Sequence, residues 1–344
     1  MGDRAAVEGY DMNIVKHYNT GRLTIATVAS HSCLQILRAA KKEGFRTTAV
    51  ATAKKAPFYS RFTFIDKLIT AEPEDMEQLA PQLFEDNAVF IPHGSFVEYC
   101  GPEKAEAFKV PFFGTRGLIR VEASQALKMR LIKDAGLPTP EEYSSPETVK
   151  PPVIIKFDGA KGGRGYFMAR DAETLKEKLS QVRGGYVIQQ YLVGVPAYIH
   201  YFASPLKKRV ELFGADIRYE SNIDGRVLGL AEPSFTVVGN RPVVLRESLL
   251  PTLTTYGEAF AKTVEKKLGQ KMIGPFCLET IIDDNMQVWV FEFSGRIVAG
   301  TNVYMGVGSP YSTLYFEKPM DMGERIAYEL KEAAERNLLE LVTT

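Results

Sequence analysis

Apolar and amphipathic stretches alternate along the first third of the chain. Residues 23–29 form an apolar run that predicts a buried strand, and residues 31–43 carry apolar positions at helical spacing. Apolar runs at 47–51 and 88–91 lie on either side of an amphipathic stretch at 74–84. Strands that alternate with helices are typical of a parallel sheet with helices on its faces. The N-terminal part is therefore predicted to be an α/β domain.

The pattern changes after a helix predicted at residues 122–135. Its apolar stripe runs from Leu127 to Ala135, and Gly136 ends the helix ahead of two prolines. Further along, strands are predicted at 153–157, 166–169 and 186–192, and helices at 171–181, 250–268 and 322–339. Short strands dominate this part, which indicates an α+β unit with largely antiparallel sheets. A domain boundary is predicted near residue 120.

Residues 153–170, VIIKFDGAKGGRGYFMAR, combine an apolar strand, a glycine-rich loop and a second strand. Glycine lets a backbone approach a ligand closely, and successive backbone N–H groups form an anion-binding concavity. Lys156, Lys161 and Arg164 add positive charge around the loop. The segment therefore predicts a polyphosphate site, and the alternative is a long surface hairpin.

Three common phosphate loops do not fit this segment. Walker and dinucleotide loops both lead into a helix, whereas residues 166–168 continue as a strand. A protein-kinase loop has its lysine after the glycines and needs His-Arg-Asp and Asp-Phe-Gly downstream. The chain contains neither tripeptide.

A pair of acids lies in a predicted hairpin at residues 276–296. If Asp284-Asn285 is a two-residue turn, Glu279 faces Val290 and Glu292 is its diagonal neighbour, roughly 7–8 Å away. Both acids then share an apolar face, where unpaired carboxylates are costly. A divalent cation, Mg²⁺ or Mn²⁺, would resolve this cost, since such ions are held by one or two carboxylates and substrate phosphates. The alternative is a structural acid pair neutralised by Arg296 or a lysine.

Arg296 follows Glu292 at even spacing and is a candidate catalytic residue. Its guanidinium could contact a transferring phosphoryl oxygen and stabilise charge in the transition state. Pairing with Glu292 is the alternative role.

Two polar sites follow strands of the predicted parallel sheet. His31-Ser32 comes after the first strand, and His93-Gly94-Ser95 comes after the strand that ends at residue 91. Ligands of open α/β folds bind at this carboxyl edge, so a nucleotide monophosphate could be held there. Helix capping is the alternative for both serines.

Two later polar segments, 218–222 and 238–241, are predicted to be turns between strands. Glu220 in the first of them could accept hydrogen bonds from a ribose.

Composition narrows the class of protein. The 344 residues include 42 basic and 42 acidic side chains, which gives no electrostatic case for nucleic acid or an anionic membrane. Three cysteines without metal or redox spacing favour a reducing cytoplasm. The first residues lack the apolar core of a signal peptide, and no apolar run approaches the roughly 20 residues that span a membrane.

These segments together resemble one family. SHSCLQIL, PHGSF, GGRGYF, RYESNIDG, GNRPVVLRESLLP, IGPFCLE and FEFSGRIVAGTN are similar to segments of the archaeal formate-dependent 5-formaminoimidazole-4-carboxamide ribonucleotide (FAICAR) synthetases, which are ATP-grasp ligases. The resemblance runs from about residue 20 to the C-terminus. It implies an extension (1–20), a pre-ATP-grasp α/β domain (21–120), a small ATP-grasp lobe with the glycine-rich lid (121–205) and a large lobe with the metal site (206–344).

The resemblance also implies a reaction. ATP would phosphorylate formate, and the 5-amino group of 5-aminoimidazole-4-carboxamide ribonucleotide (AICAR) would attack the resulting formyl phosphate, a step of purine biosynthesis. Homo-oligomerisation is left open. By matching motif, the AICAR contacts would be His31, Ser95 and Asn240; the ATP contacts Lys156, Gly162, Gly163, Arg164, Gly165, Gln190, Tyr191 and Glu220; and the metal ligands Glu279 and Glu292.

Two other functions stay open from the sequence. An ATP-grasp ligase could join another small carboxylate to an amine. A nucleotide sensor could bind ATP and AICAR without turnover, although a pair of buried acids is of little use to it.

Overall fold

The computed structural model describes residues 14–161, 164–182, 185–220 and 236–344. Within these ranges the strands are β1 (Thr24–Val28), β2 (Arg46–Ala51), β3 (Lys67–Thr70), β4 (Ala88–Phe90), β5 (Glu142–Tyr143), β6 (Val153–Lys161), β7 (Arg164–Ala169), β8 (Tyr186–Gln190), β9 (Val195–Ser204), β10 (Arg209–Glu220), β11 (Val237–Pro242), β12 (Gly274–Ile282) and β13 (Val288–Ser294).

The helices follow the same order. The α-helices are α1 (Cys33–Lys42), α2 (Ala56–Tyr59), α3 (Ala80–Glu85), α4 (Gly94–Cys100), α5 (Pro102–Ala107), α6 (Leu118–Ala123), α7 (Gln125–Asp134), α8 (Ala172–Leu179), α9 (Leu250–Leu268) and α10 (Met322–Glu335). Short 3-10 helices lie at Ile14–His17, Thr20–Arg22, Pro73–Leu79, Pro146–Thr148, Glu247–Leu249, Ala299–Tyr304, Pro310–Leu314 and Leu339–Leu341.

The N-terminal sheet is parallel, in the order β3-β2-β1-β4, which confirms the α/β prediction. β1 is buried along its whole length because helices cover both faces. The edge strand β3 was not predicted, since its four residues are partly exposed and too short for a clear pattern. The predicted helix at 74–84 is a 3-10 helix followed by α3.

The helix predicted at 122–135 is wrong as a single element. Ser124 has an extended conformation, with φ −112° and ψ 123°, and separates α6 from α7. Its hydroxyl accepts a hydrogen bond from the backbone N–H of Leu127, which caps α7. Leu127 is consequently exposed, whereas Leu131 and Ile132 are buried. Gly136 ends the helix at φ +72°, as predicted.

The second sheet is antiparallel, in the order β5-β8-β6-β7. β6 and β7 pair directly, and the backbones of Lys161 and Arg164 form the last pair before the glycines. The two strands predicted around the glycines are therefore confirmed, but β6 and β7 both extend further into the predicted loop, to Lys161 and from Arg164. A small apolar core that includes Ile155, Leu175 and Ile188 joins this sheet to α8.

The third sheet is also antiparallel, in the order β11-β10-β9-β12-β13. The long helix α9, predicted with these bounds, packs on it: Phe260 stacks on Phe276, with ring centroids 5.7 Å apart. β9 belongs to this sheet, so a boundary drawn from the sheets would fall before Val195 rather than at residue 205. The four-part division of the chain stays a prediction.

The end of the chain returns to the N-terminal domain. Helix α10 packs against α1, and the backbones of Phe112 and Thr344 exchange two hydrogen bonds of 2.9 Å. Buried apolar residues from both ends of the sequence form one core cluster. Among the helices of the described residues, none combines the length and apolar character that crossing a membrane requires.

Candidate active site

Glu279 and Glu292 lie directly opposite each other on β12 and β13. The two-residue turn and the Val290 partner predicted for Glu279 are both wrong. Asp283 and Gln287 close a three-residue loop in which Met286 has φ +62°, and a bulge beside Glu279 then shifts the register again. A three-residue loop of this kind needs a left-handed residue, and a bulge adds one residue to one strand. Together, the longer loop and the bulge place the two acids face to face.

Each acid has a basic partner that the sequence did not reveal. Arg218 on β10 contacts Glu279, with 2.9 Å between Nη2 and Oε1, and Lys128 on α7 forms an ion pair with Glu292. Ser294 also donates a hydrogen bond of 3.2 Å to Glu279. Glu292 is thus paired with a lysine, as the alternative interpretation of the sequence predicted.

Burial and charge act differently on the two pKa values. Burial raises the pKa of Glu279, against the opposing effect of Arg218, and the charge of Glu292 raises it further. Burial acts in the same direction on Glu292, but the charges of Lys128 and Lys156 outweigh it and lower the pKa of that carboxyl. Glu292 is therefore the more readily ionised of the two acids.

Arg296 does not pair with Glu292. Its Nη2 lies 2.7 Å from Oε1 of Glu122 on α6, and the other oxygen of Glu122 accepts a hydrogen bond of 3.0 Å from the N–H of Gly295. The guanidinium packs against Gly94, where a Cβ would lie only 3.2 Å from its central carbon. The histidine-glycine-serine segment thus leaves room for the arginine.

His31 and His93 stack at the carboxyl edge of the parallel sheet, with ring centroids 5.0 Å apart and planes 4° apart. His93 donates from Nε2 to the carbonyl of Val28 at 2.9 Å. Burial lowers the pKa of His93 to about 4, and burial, His93 and Arg296 hold the pKa of His31 well below its usual range. Both rings are therefore neutral near pH 7.

The capping alternative for the two serines is wrong. Ser32 makes no side-chain cap and instead contacts Nδ1 of His31 at 2.7 Å. Ser95 lies inside α4, and its hydroxyl donates to Ser30 at 3.1 Å. Both hydroxyls therefore belong to the polar edge of the sheet.

A cavity of about 450 Å³ brings together the predicted AICAR contacts, the two acids and Arg296. It lies between the parallel sheet and the third sheet, and Tyr166 of β7 reaches its wall. The predicted residues that line it are His31, Ser95, Asn240, Glu279, Glu292 and Arg296. Residues from four separate parts of the sequence thus share one cavity.

Lys156, Gln190, Tyr191 and Glu220, which were predicted to contact ATP, do not line this cavity. Lys156 is buried on β6 and donates a hydrogen bond of 3.2 Å to the carbonyl of Phe291, the residue before Glu292. Gln190 ends β8, which pairs with β6, and Tyr191 follows it. Glu220 is the last residue of β10. Gly162 and Gly163 lie outside the described residues, as do the side chain of Arg164 and the surroundings of Gly165.

Sequence reasoning missed several charged residues of the site, among them Lys128, Glu122 and Arg218. Lys128 and Glu122 belong to helices that looked amphipathic, and Arg218 was assigned to a turn although it lies on β10. The guanidinium of Arg218 also stacks on Tyr198 at 3.8 Å. The motif RYES around Arg218 was a usable signal, whereas nothing local distinguishes Lys128 from other helical lysines.

Comparisons with known proteins agree along the chain. The description "Protein of unknown function (DUF1246)" matches residues 25–143, and "Domain of unknown function (DUF1297)" matches residues 170–344. A 5-formaminoimidazole-4-carboxamide-1-(beta)-D-ribofuranosyl 5'-monophosphate synthetase of Pyrobaculum aerophilum is 59% identical over 332 residues, which cover 96% of this chain and 97% of the relative. The synthetase of the same name in Caldivirga maquilingensis is 56% identical over 337 residues, 97% of this chain and 100% of the relative.

Solved structures show the same similarity. The crystal structure of an IMP biosynthesis protein PurP from Thermococcus kodakaraensis is similar at a TM-score of 0.78 and 34% identity, over 93% of this chain and 100% of that one. The ADP complex of purK, an N5-carboxyaminoimidazole ribonucleotide synthetase, is similar at a TM-score of 0.68 and 14% identity. This similarity covers 91% of this chain and 77% of that one. The second likeness concerns the fold alone. The predicted fold class, an α/β domain followed by an ATP-grasp fold, is confirmed.

Proposed function

The chain belongs to the family of 5-formaminoimidazole-4-carboxamide ribonucleotide synthetases, and from this premise we propose that it formylates AICAR with formate and ATP. The observation that carries the proposal is the shared cavity. Residues matched to the ribonucleotide, His31, Ser95 and Asn240, line the same cavity as the acid pair. An amine acceptor and a phosphoryl donor must meet in such a space.

The proposed reaction has two steps. An oxygen of formate attacks the terminal phosphorus of ATP, which gives formyl phosphate and releases ADP. The 5-amino nitrogen of AICAR then attacks the formyl carbon, phosphate leaves with the bonding electron pair, and the nitrogen loses a proton. The products are FAICAR, ADP and phosphate, formed in the cytoplasm.

Charged residues of the chain support the phosphoryl step. Arg296 is oriented by Glu122, and Arg218 by Glu279, so both guanidinium groups line the cavity in fixed positions. Fixed donors stabilise charge that develops on transferred oxygens without reorganisation. We propose that Arg296 is the catalytic residue that contacts the transferred phosphoryl group. Arg218 lines the same cavity and adds a second guanidinium.

The acid pair fits a divalent cation. Glu279 and Glu292 face each other on the cavity wall, and in the described part of the chain no third carboxylate, histidine or cysteine joins them. Two carboxylates with substrate phosphates are the usual environment of Mg²⁺. The two glutamates would hold Mg²⁺ or Mn²⁺, and the ion would supply neutralisation of phosphate charge.

The ATP site is proposed on the adjoining second sheet. Lys156 lies close enough to Glu292 for each charge to affect the other's pKa, and Gln190 and Tyr191 end the neighbouring strand. This arrangement supports a triphosphate that runs from β8 past Lys156 toward the acid pair. Gly162, Gly163, Arg164 and Gly165 would cover the phosphates, and Glu220 would contact the nucleotide at the end of β10.

Mass detection of the product tests the proposal. The purified protein, incubated with ATP, formate and AICAR, should form FAICAR, and replacement of formate by ¹³C-formate should raise the product mass by about one unit. ADP release should require formate, and acetate should not replace it. ADP release driven equally well by a larger acid would instead support a ligase with another carboxylate substrate, and tight binding of ATP and AICAR without product would support a sensor.

A further inference from the structure

Three polar side chains on adjacent strands form a hydrogen-bonded row beside the cavity. His200 on β9 contacts Asp216 on β10, with 2.7 Å between Nε2 and Oδ1. The side-chain NH₂ of Asn240 on β11 donates to the other oxygen of Asp216, also at 2.7 Å. Only about 1% of His200 and of Asp216 is exposed, and Asn240 is half-buried. Asp216 and Asn240 both line the cavity.

The chemistry of Asp216 fixes the direction of both hydrogen bonds. An ionised carboxylate only accepts, so His200 must carry a proton on Nε2 and Asn240 must turn its NH₂ group toward Asp216. The carbonyl oxygen of Asn240 is then the part of the amide left for a ligand. Within the described residues, Oδ1 of Asn240 accepts no hydrogen bond.

Gly300 leaves the space that the carboxylate of Asp216 occupies. Its backbone lies so close to Asp216 that a Cβ at position 300 would be 2.0 Å from Oδ1 and 2.4 Å from Cγ. The hydroxyl of Tyr304 donates a hydrogen bond of 2.5 Å to the carbonyl of Ala215, the residue before Asp216. A side chain at position 300 would therefore displace the carboxylate from His200 and Asn240.

We propose that Asp216, oriented by His200, is a positioning residue that makes Asn240 a dedicated acceptor for the carboxamide N–H of the ribonucleotide. The inference rests on the proposed function, which places AICAR in this cavity. A 4-carboxamide supplies N–H donors, whereas a 4-carboxylate supplies only acceptors and a negative charge. The row therefore selects the amide over the acid at this position of the imidazole.

Direct binding measurements test this selectivity. AICAR and its 4-carboxylate analogue, 5-aminoimidazole-4-carboxylate ribonucleotide, are titrated into the wild-type protein and into Asp216→Asn by calorimetry. The wild type should prefer AICAR by about 100-fold or more, because with the carboxylate analogue the side-chain oxygen of Asn240 would face another acceptor instead of a donor. An asparagine at 216 can donate to Asn240 and let its amide turn, so the preference should fall by about 10-fold or more.

Variants of His200 separate positioning from general destabilisation. His200→Gln retains an N–H donor near Nε2 and should keep the preference for AICAR, whereas His200→Phe should reduce it. Asp321→Asn is the matched control: Asp321 is a buried carboxylate that caps α10 and does not line the cavity. This change should leave the ratio of the two affinities unaltered.

The outcomes distinguish the two proposals. If the wild type does not bind AICAR, the proposed function fails. If it binds AICAR but Asp216→Asn weakens both ligands equally, or neither, the positioning role alone is overturned. If Asp216→Asn does not fold by circular dichroism, Gly300→Ala provides the same comparison, because it displaces the carboxylate without removing its charge.

Discussion

Glu292 combines a lowered pKa with a position on the cavity wall. Lys128 and Lys156 stabilise its charged form although the carboxyl is buried. Its neighbour Glu279 has a raised pKa for the opposite balance of burial and charge. Paired acids with different environments commonly have different roles in a site. At the scale of single residues, Glu292 is therefore the stronger candidate for a permanently charged ligand.

Glu292→Gln should abolish formation of the formylated product while AICAR binding survives. The change removes one carboxylate from the acid pair and leaves the charge of Lys128 without its partner, whereas His31, Ser95 and Asn240 stay in place. Product formation is measured by mass spectrometry and AICAR affinity by calorimetry. Asp284→Asn, at the exposed turn of the same hairpin, is the control and should keep full activity. Unchanged turnover in Glu292→Gln would remove the metal assignment.

His93 should make the protein less stable in mild acid. Its pKa is about 4 in the folded chain, against about 6.5 when unfolded, so between these pH values the unfolded state binds more protons. Stability is therefore lost as pH falls, by on the order of 2 kcal/mol between pH 7.5 and 5 for this residue alone. The facing groups His31, Arg296 and Lys55 are all basic or neutral and none opposes this sign.

Urea unfolding of the wild type and of His93→Gln at the two pH values measures the effect. The loss of unfolding free energy on acidification should be smaller in the variant. Ser124→Ala serves as a control that destabilises without a titratable group, and its loss on acidification should equal that of the wild type. Equal losses in wild type and His93→Gln would contradict the assignment of a buried neutral imidazole.

Local sequence patterns predict several helices and strands correctly. They do not predict features that depend on contacts between residues far apart in the sequence. Helix α9 was predicted with its observed bounds because a long amphipathic stretch followed by Gly269 is a strong signal. The β12–β13 hairpin was predicted, but its loop length and bulge were not, because both depend on packing rather than on the turn residues. The ion pair of Lys128 and Glu292 spans 164 positions and has no local signature.

Ser124→Ala should lower the unfolding free energy by about 1 kcal/mol, a typical cost of losing a helix cap. Ser124 separates α6 from α7 and caps α7. Glu122 of α6 and Lys128 of α7 both line the cavity. Urea unfolding at pH 7.5 checks the value. Ser180→Ala, at the end of α8 where the hydroxyl donates to a carbonyl, should change stability by less than about 0.5 kcal/mol. Equal losses in both variants would contradict the capping role.

The whole molecule is joined by its C-terminal helix. Helix α10 packs on α1 of the N-terminal domain and also reaches the third sheet through Arg325. This fully buried guanidinium contacts Glu211 on β10 at 2.8 Å and Glu329 on its own helix at 2.9 Å. Ser204 on β9 donates to Glu329 as well. The sequence predicted the helix, but no pattern of residues indicated that it would connect the first domain with the last sheet.

Arg325→Ala should destabilise the whole protein by about 3–5 kcal/mol, because it leaves the buried carboxylate of Glu329 without a cationic partner and that of Glu211 with Arg209 alone. The loss should be global, so fluorescence of Trp289 on β13 and circular dichroism should report the same shifted urea transition. Arg336→Ala removes an exposed pair with Glu332 and should cost about 1 kcal/mol or less. A small loss for Arg325→Ala, or a transition seen by only one probe, would mean that α10 does not hold the two parts together. If both probes report one transition, the parallel sheet and the third sheet, which form the two walls of the cavity, unfold together.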